Sequence, residues 1–272
     1  MSIRIVSLNC WGGRVHEPLL EFLRNVDADI LCLQEMYSAP PDVPSSLILN
    51  YNFSTKSPLV QPHLFSEIQA MLWDYQAFFY PAAQGHLNDS ITTTHKVRYG
   101  LATFIRNSLP IIGEEVRFVY GTYRSAAFGN PPLPRNAHCV RLWRHDTNKP
   151  LVVAHMHGLW LPNKKGDTPE RKSQATALAD LVRSVMQQND DIIVCGDFNV
   201  LPTSVTFDIL ANLGLRDLVV TRGYTDTRTS YYKKNPRYAD YMLASGGLQV
   251  LNFDVPTEPE VSDHRPLVLD CM

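Results

Sequence analysis

The chain has 272 residues, 44% hydrophobic and 19% charged, with a formal net charge of −2. That balance excludes a disordered chain, and a mildly acidic protein does not track nucleic acid along a long backbone footprint, so any such contact must be local. No run approaches the ~18 apolar residues of a membrane span.

Residues 3–8 read as a strand ending in Asn9, followed by Cys10-Trp11-Gly12-Gly13. Leu19, Leu20 and Leu23 then recur at helical spacing. A second apolar strand, Asp29-Ile30-Leu31-Cys32-Leu33, ends in Gln34-Glu35, which makes a compact βαβ-like opening. Residues 37–63, punctuated by five prolines, read as a long loop. A helix is expected over 64–73, a strand over 75–80, a polar loop over 85–98 and strands over 99–105 and 114–120. A third loop covers 121–135. Alternation over 137–143 suits a half-exposed strand, and the run from Leu151 leads through His155-Met156 to His157-Gly158. Asp167-Thr168-Pro169-Glu170 is a helix start: Asp167 or Thr168 can cap, Pro169 fits the first turn and Glu170 complements the dipole. That helix should reach about residue 188. A strand ends in Gly196-Asp197-Phe198-Asn199, a short helix covers 202–213, and strands are expected over 215–220, 238–244 and 249–255. Val261-Ser262 leads to Asp263-His264, before a final strand from Arg265.

No repeat, low-complexity tract or flexible linker divides the chain, so residues 1–272 are expected to form a single domain. A core of this size can bury roughly 75% of the unfolded surface without staples. The five cysteines form no CxxC pair and fall in strand-like segments, which suits buried reduced thiols. With no apolar leader before the first strand, a cytoplasmic monomer is expected.

Five strand-like segments carry Asn, Glu, His, an Asp/Asn pair and an Asp-His pair at one terminus. Residues two apart in an extended backbone share a face, so Asp197 and Asn199 should project together. If these ends share one rim, that rim holds carboxylates for a hard divalent cation and imidazoles for proton transfer. In their order, Leu8-Asn9, Gln34-Glu35, Met156-His157, Gly196-Asp197-Phe198-Asn199, Asp240-Tyr241 and Ser262-Asp263-His264-Arg265-Pro266 resemble the endonuclease/exonuclease/phosphatase (DNase I-like) superfamily. The resemblance runs from residue 5 to about 269. It implies an α/β fold, a four-layer αββα sandwich of two mixed β-sheets packed face to face and flanked by helices, with a Mg²⁺ or Mn²⁺ site at one edge.

It also implies roles. Glu35 would be a metal ligand, with Asn9 beside it and Asp263 as a further metal-side carboxylate. Asp197 would orient or deprotonate the attacking water, and Asn199 would donate its amide to a non-bridging phosphate oxygen. His264 would meet the scissile phosphate, its other nitrogen held by Asp240. Alternation leaves His155 and His157 on one face; the family's histidine lies at the strand end, which favours His157 as the donor to the leaving oxygen or phosphate. Arg171 and Gln174 look structural. Tyr238 intervenes where the family often places its arginine closer to the Asp240 run, so local contacts there differ.

The reaction expected is metal-dependent hydrolysis of a phosphodiester or phosphomonoester substrate, with nucleic acid or nucleotide slightly preferred. A sphingomyelinase-like phospholipid phosphodiesterase is the alternative, and a non-catalytic phosphate-binding module on the same scaffold is the third reading. Cations and aromatics near the rim (Trp11, Trp160, Lys164, Lys165, Tyr231, Tyr232, Lys233, Lys234 and Arg237), with Arg98, Arg124 and Arg135 in loops that the sequence does not place, suggest a local anion-binding patch. Base stacking on Trp11 or Trp160 would suit nucleic acid, but an aromatic rim equally suits a lipid headgroup.

Overall fold

The computed structural model describes residues 2–48, 59–88, 94–162 and 165–272. Lys164, one of the expected rim cations, lies outside them. β1 (Ile3–Asn9) and β2 (Ile30–Ser38) are parallel and joined by α1 (His16–Asn25). β3 (Leu47–Ile48), β4 (Leu59–Val60), α2 (Leu64–Met71), and the hairpin strands β5 (Tyr75–Asn88) and β6 (Thr94–Arg106) follow. Then come β7 (Ile111–Tyr120), β8 (Arg135–Arg144), β9 (Lys149–His157), α3 (Pro169–Val185) and β10 (Asp191–Asp197). The chain continues through α4 (Val205–Ala211), β11 (Leu215–Asp217), α5 (Leu218–Thr221), β12 (Asp240–Ser245), β13 (Val250–Asp254) and β14 (Leu267–Cys271).

These strands form two mixed sheets. The eight-stranded sheet has the order β13-β14-β1-β2-β6-β5-β3-β4, and the six-stranded sheet β11-β12-β10-β9-β8-β7. The period-2 rule explains how they stack. Ile5, Ile30 and Cys32 point inward against Val153, Ile193 and Cys195 of the second sheet. Their neighbours Val6, Leu8, Leu31 and Leu33 point outward onto Leu19 and Leu23 of α1 and Leu64 and Ile68 of α2. Leu178, Leu181 and Val182 of α3 cover the outer face of the six-stranded sheet. Each fully buried Leu or Ile contributes roughly 1.5–3 kcal/mol. The expected helix–sheet–sheet–helix layering is present. All five cysteines are free and buried, and no helix among the described residues is long and apolar enough to cross a membrane.

Several local expectations need correction. The polar stretch 85–98 is mostly strand: Leu87, Val97 and Tyr99 alternate into a small core with Tyr37, Val43, Leu47 and Val60, and the polar residues form the other face. Strand 137–143 is buried on both faces, because β7 and β9 flank it while α3 and the first sheet cover it. Residues 215–220 divide into β11 and α5, where Asp217 caps the helix by accepting from the amides of Val219 and Val220. Residues 261–264 are not a strand; His264 makes only an isolated bridge to Arg228. The final strand starts at Leu267, after Pro266, and α3 ends at Val185.

Candidate active site

Parallel strands leave their carboxyl ends on one rim, where an α/β sheet gathers ligands. Asn9 ends β1, His157 ends β9 and Asp197 ends β10. Register completes the set, since His157 lies opposite Asp197 across the parallel pair and Asp240 opposite Asp197 across the antiparallel pair. The close approach demands Gly196: its φ is +130°, and a Cβ there would stand 2.1 Å from the Met156 carbonyl oxygen.

Asp197 is the hub. One carboxylate oxygen accepts from the Asn9 side-chain amide at 3.0 Å, and the other from the Asn199 backbone amide at 3.0 Å. The Nε2 atoms of His157 and His264 stand 3.6 and 3.7 Å from it. Asn9 is held in turn, its side-chain oxygen accepting from the Trp11 amide and its carbonyl from the Ser262 hydroxyl.

Glu35 arrives by a different route from the one its sequence position suggests. β2 does not end there but runs on to Ser38, with a bulge between Leu33 and Met36 that leaves Glu35 unpaired at φ 55°. A bulge re-aims a side chain. Glu35 Oε1 lies 3.8 Å from His157 Nε2, with 28% of its side chain open to solvent. Burial pushes its carboxyl above the usual range; Arg14, Arg135 and Asn9 pull it down, and Asp197 adds repulsion. Asn199 also departs from expectation. Its φ is 55°, so it leaves the extended backbone that the shared-face argument assumed. Its side-chain amide faces the Gly158 carbonyl at 3.4 Å.

Both histidines are buried and oriented. Arg135 donates to His157 Nδ1 at 3.2 Å. An arginine can only donate, so the ring proton of neutral His157 sits on Nε2, facing Asp197 and Glu35. Burial, reinforced by Arg135, His264 and Arg228, holds this imidazole well below its usual pKa. His264 Nδ1 faces both Asp240 oxygens at 2.9 and 2.8 Å. Arg228 donates to its Nε2 and to Asp263 at 2.9 Å. Burial raises Asp240 to about 7, against Arg228, and lowers His264 to about 4, with Arg228 helping. His155 is a core residue, shared between Thr103 at 2.8 Å and Gln34 at 3.4 Å. Gln174 accepts from the Leu159 amide, and Arg171 donates to the Gly166 and Leu159 carbonyls, consistent with structural roles.

Arg228 was invisible in the sequence, where it lies in a polar loop with no periodicity. Arg135 was noted only as a loop cation; its place beside the Ala137 strand was the available signal. Arg98, Arg124 and Arg237 are bound to Ser38, to loop carbonyls and to Asp226 respectively. Lys165 donates to the Pro236 and Tyr238 carbonyls, and burial lowers it to about 8.

Asp197, Asp240 and His264 bring ligand atoms within 4.8 Å of one another, a set able to hold a metal ion. Both Asp240 oxygens already face His264, however, which ties Asp240 to the imidazole. The set expected from the sequence is Glu35, Asn9 and Asp263, with Asp197 beside it as the base. Burial raises Asp263, with Glu35 and Asp197 adding repulsion against the pull of His264 and Arg228, and Asp263 Oδ1 is buried with no hydrogen-bond partner. Crowded carboxylates with a spare oxygen suit an ion that takes oxygen ligands.

Residues 6–264 match the Endonuclease/Exonuclease/phosphatase family. The chain belongs to that family. Its members hydrolyse phosphoesters. It is 30% identical over 227 residues to the inositol phosphosphingolipids phospholipase C of Schizosaccharomyces pombe, covering 79% of this chain and 45% of that protein. The chain thus spans about half the length of this relative. Among solved structures, the human Nocturnin catalytic domain superposes with TM-score 0.67 at 21% identity, covering 100% of this chain and 93% of that one. An endonuclease/exonuclease/phosphatase from Beutenbergia cavernae gives 0.71 at 17%, covering 99% and 71%. Both likenesses speak for the fold alone.

Proposed function

We propose that this protein cleaves a phosphodiester with Mg²⁺ or Mn²⁺ bound, and that the ester is a phospholipid headgroup rather than nucleic acid. The observation that carries the reaction is Asp197, a buried carboxylate hydrogen-bonded by Asn9 and faced by two oriented imidazoles. The substrate class rests on the 30% identical phospholipase C, and the net charge of −2 gives no footprint for a long nucleic acid.

The roles follow from protons and charge. Asp197, an acceptor held by Asn9 and the Asn199 amide, orients a water and takes its proton. His157 offers Nε2–H to the leaving oxygen. Arg228, donating to Nε2 of a neutral His264 whose Nδ1 faces Asp240, places positive charge beside the phosphoryl group, and the Asn199 amide offers a further donor. Glu35, Asn9 and the spare oxygen of Asp263 would hold the cation, which neutralises charge building on the phosphoryl oxygens.

A panel containing sphingophospholipids, glycerophospholipids, bis(4-nitrophenyl) phosphate, inositol phosphates, DNA and RNA, each with Mg²⁺, Mn²⁺ or EDTA, tests this. Phospholipid turnover is expected to stop with EDTA and to fall roughly 10²-fold or more in Asp197→Ala or His264→Ala. Faster turnover of nucleic acid would replace the substrate assignment. Unchanged rates in either variant would remove the assigned chemistry.

A further inference from the structure

Beyond the reacting groups, the rim carries a chain of rings and cations. Trp11 directly follows Asn9-Cys10 and takes φ 50°, a conformation a bulky residue adopts only where its surroundings impose it. Its ring pairs with Tyr231 at 5.7 Å, and Tyr231 is 46% exposed. The Arg14 guanidinium lies 4.6 Å from the Trp11 centroid. On the His264 side, the Tyr232 ring is covered by Arg228 at 4.4 Å and Lys165 at 5.4 Å.

Arg14 differs from the other cations of the site. Arg135 donates to His157 and Tyr99, Arg228 to Asp263 and His264, and Lys165 to two carbonyls. Among the described residues Arg14 has no hydrogen-bond or ion-pair partner, and its Nε is buried without one. It is nevertheless the strongest charge pulling Glu35 down, which puts its field at the mouth. An arginine parked on a tryptophan with its donors unspent is preorganised to receive an oxygen ligand.

We propose that Arg14, Trp11 and Tyr231 form the headgroup subsite, selecting neutral or anionic polyhydroxylated headgroups over quaternary ammonium ones. The inference rests on the phosphodiesterase reading above. Quaternary ammonium recognition needs aromatic faces free of competing cations. Here Trp11 already carries Arg14, and Tyr232 carries Arg228 and Lys165, so an incoming ammonium meets like charge. Hydroxyls and phosphate oxygens meet the unspent donors of Arg14, with Tyr231 free to pack on a ring.

The test compares kcat/KM for 4-nitrophenyl myo-inositol 1-phosphate and 4-nitrophenyl phosphocholine in saturating Mg²⁺. Bis(4-nitrophenyl) phosphate reports diester hydrolysis as such. The wild-type protein should favour the inositol ester about 10-fold, and Arg14→Gln should cut that ratio about 5-fold, with Arg14→Glu cutting it further. Arg14→Lys keeps the charge but loses the fork, so it should retain discrimination against choline while raising KM for the inositol ester. Both rates come from one preparation, so loss of folded protein cancels in each ratio. A wild-type preference for choline, or a ratio unmoved in both Arg14→Gln and Arg14→Glu, overturns the subsite. Failure to hydrolyse even bis(4-nitrophenyl) phosphate overturns the phosphodiesterase reading, and this inference falls with it.

Discussion

At His264 two neighbours settle the ring before any substrate arrives. Arg228 can only donate, so Nε2 accepts and the proton of the neutral ring lies between Nδ1 and Asp240. Replacing Asp240 by Asn keeps the shape but offers an amide where a carboxylate stood, which removes the charge that would stabilise an imidazolium. Asp240→Asn is expected to lower kcat/KM for the preferred diester roughly 10²-fold or more, with an unchanged near-UV circular dichroism spectrum. A loss under 3-fold, on the order of 0.6 kcal/mol, would mean that Asp240 only fills space. The residues reasoning from sequence missed, Arg228 and Arg14, share one property. Neither sits in a periodic segment: Arg228 acts through His264 and Asp263 far along the chain, and Arg14 rests on Trp11 in an irregular turn.

Elements contribute by ending, bending or touching. The bulge in β2 turns Glu35 out of the ladder and toward His157 without ending the strand. β9 and β10 approach so closely at their ends that Gly196 has no room for a methyl group: the nearest atoms belong to the Met156 backbone, which cannot swing aside as a flexible side chain could. Gly196→Ala should therefore cost more than about 3 kcal/mol in urea unfolding, through the clash and the positive φ together. A loss below about 1 kcal/mol would show that the strand ends can separate freely. The same closeness brings the hub, Asp197, within reach of His157, so strand packing and the site's geometry have one cause.

Between the sheets runs a buried polar line. Thr103 Oγ1 stands 2.7 Å from His138 Nδ1 and 2.8 Å from His155 Nε2, and Gln34, next to Glu35, continues it. Burial depresses His138 from the usual 6.5 to about 4, and His155 in the same direction. The unfolded chain takes up these protons near pH 6.5 while the folded chain refuses them. Stability present above pH 6.5 is therefore lost as pH falls toward about 4, with His138 alone accounting for about 2 kcal/mol between pH 6.5 and pH 5. Urea unfolding at pH 7 and pH 5 should show this slope, and His138→Gln should flatten it. An equal slope in the variant would assign the effect elsewhere.

How much was written in the chain is clear from particular residues. The layering was legible because alternation at Ile5-Val6 and Ile30-Leu31 marks two buried faces, and the Thr168-Pro169 start of α3 is local chemistry, with Thr168 capping the Arg171 amide. The set Asn9, Glu35, His157, Asp197, Asp240 and His264 was legible as a family order. Polar 85–98 misled because a strand pairing on one small core needs only Leu87, Val97 and Tyr99 to be apolar. Sequence by itself determined most of the core strands, and that Asn9, His157 and Asp197 end three of them, because those choices depend on neighbours a few residues away. Only the tertiary structure decided that a bulge turns Glu35 toward His157, that Arg228 joins His264 to Asp263, and that Arg14 stands free on Trp11. Those contacts depend on sheet register and loop path, and local periodicity encodes neither.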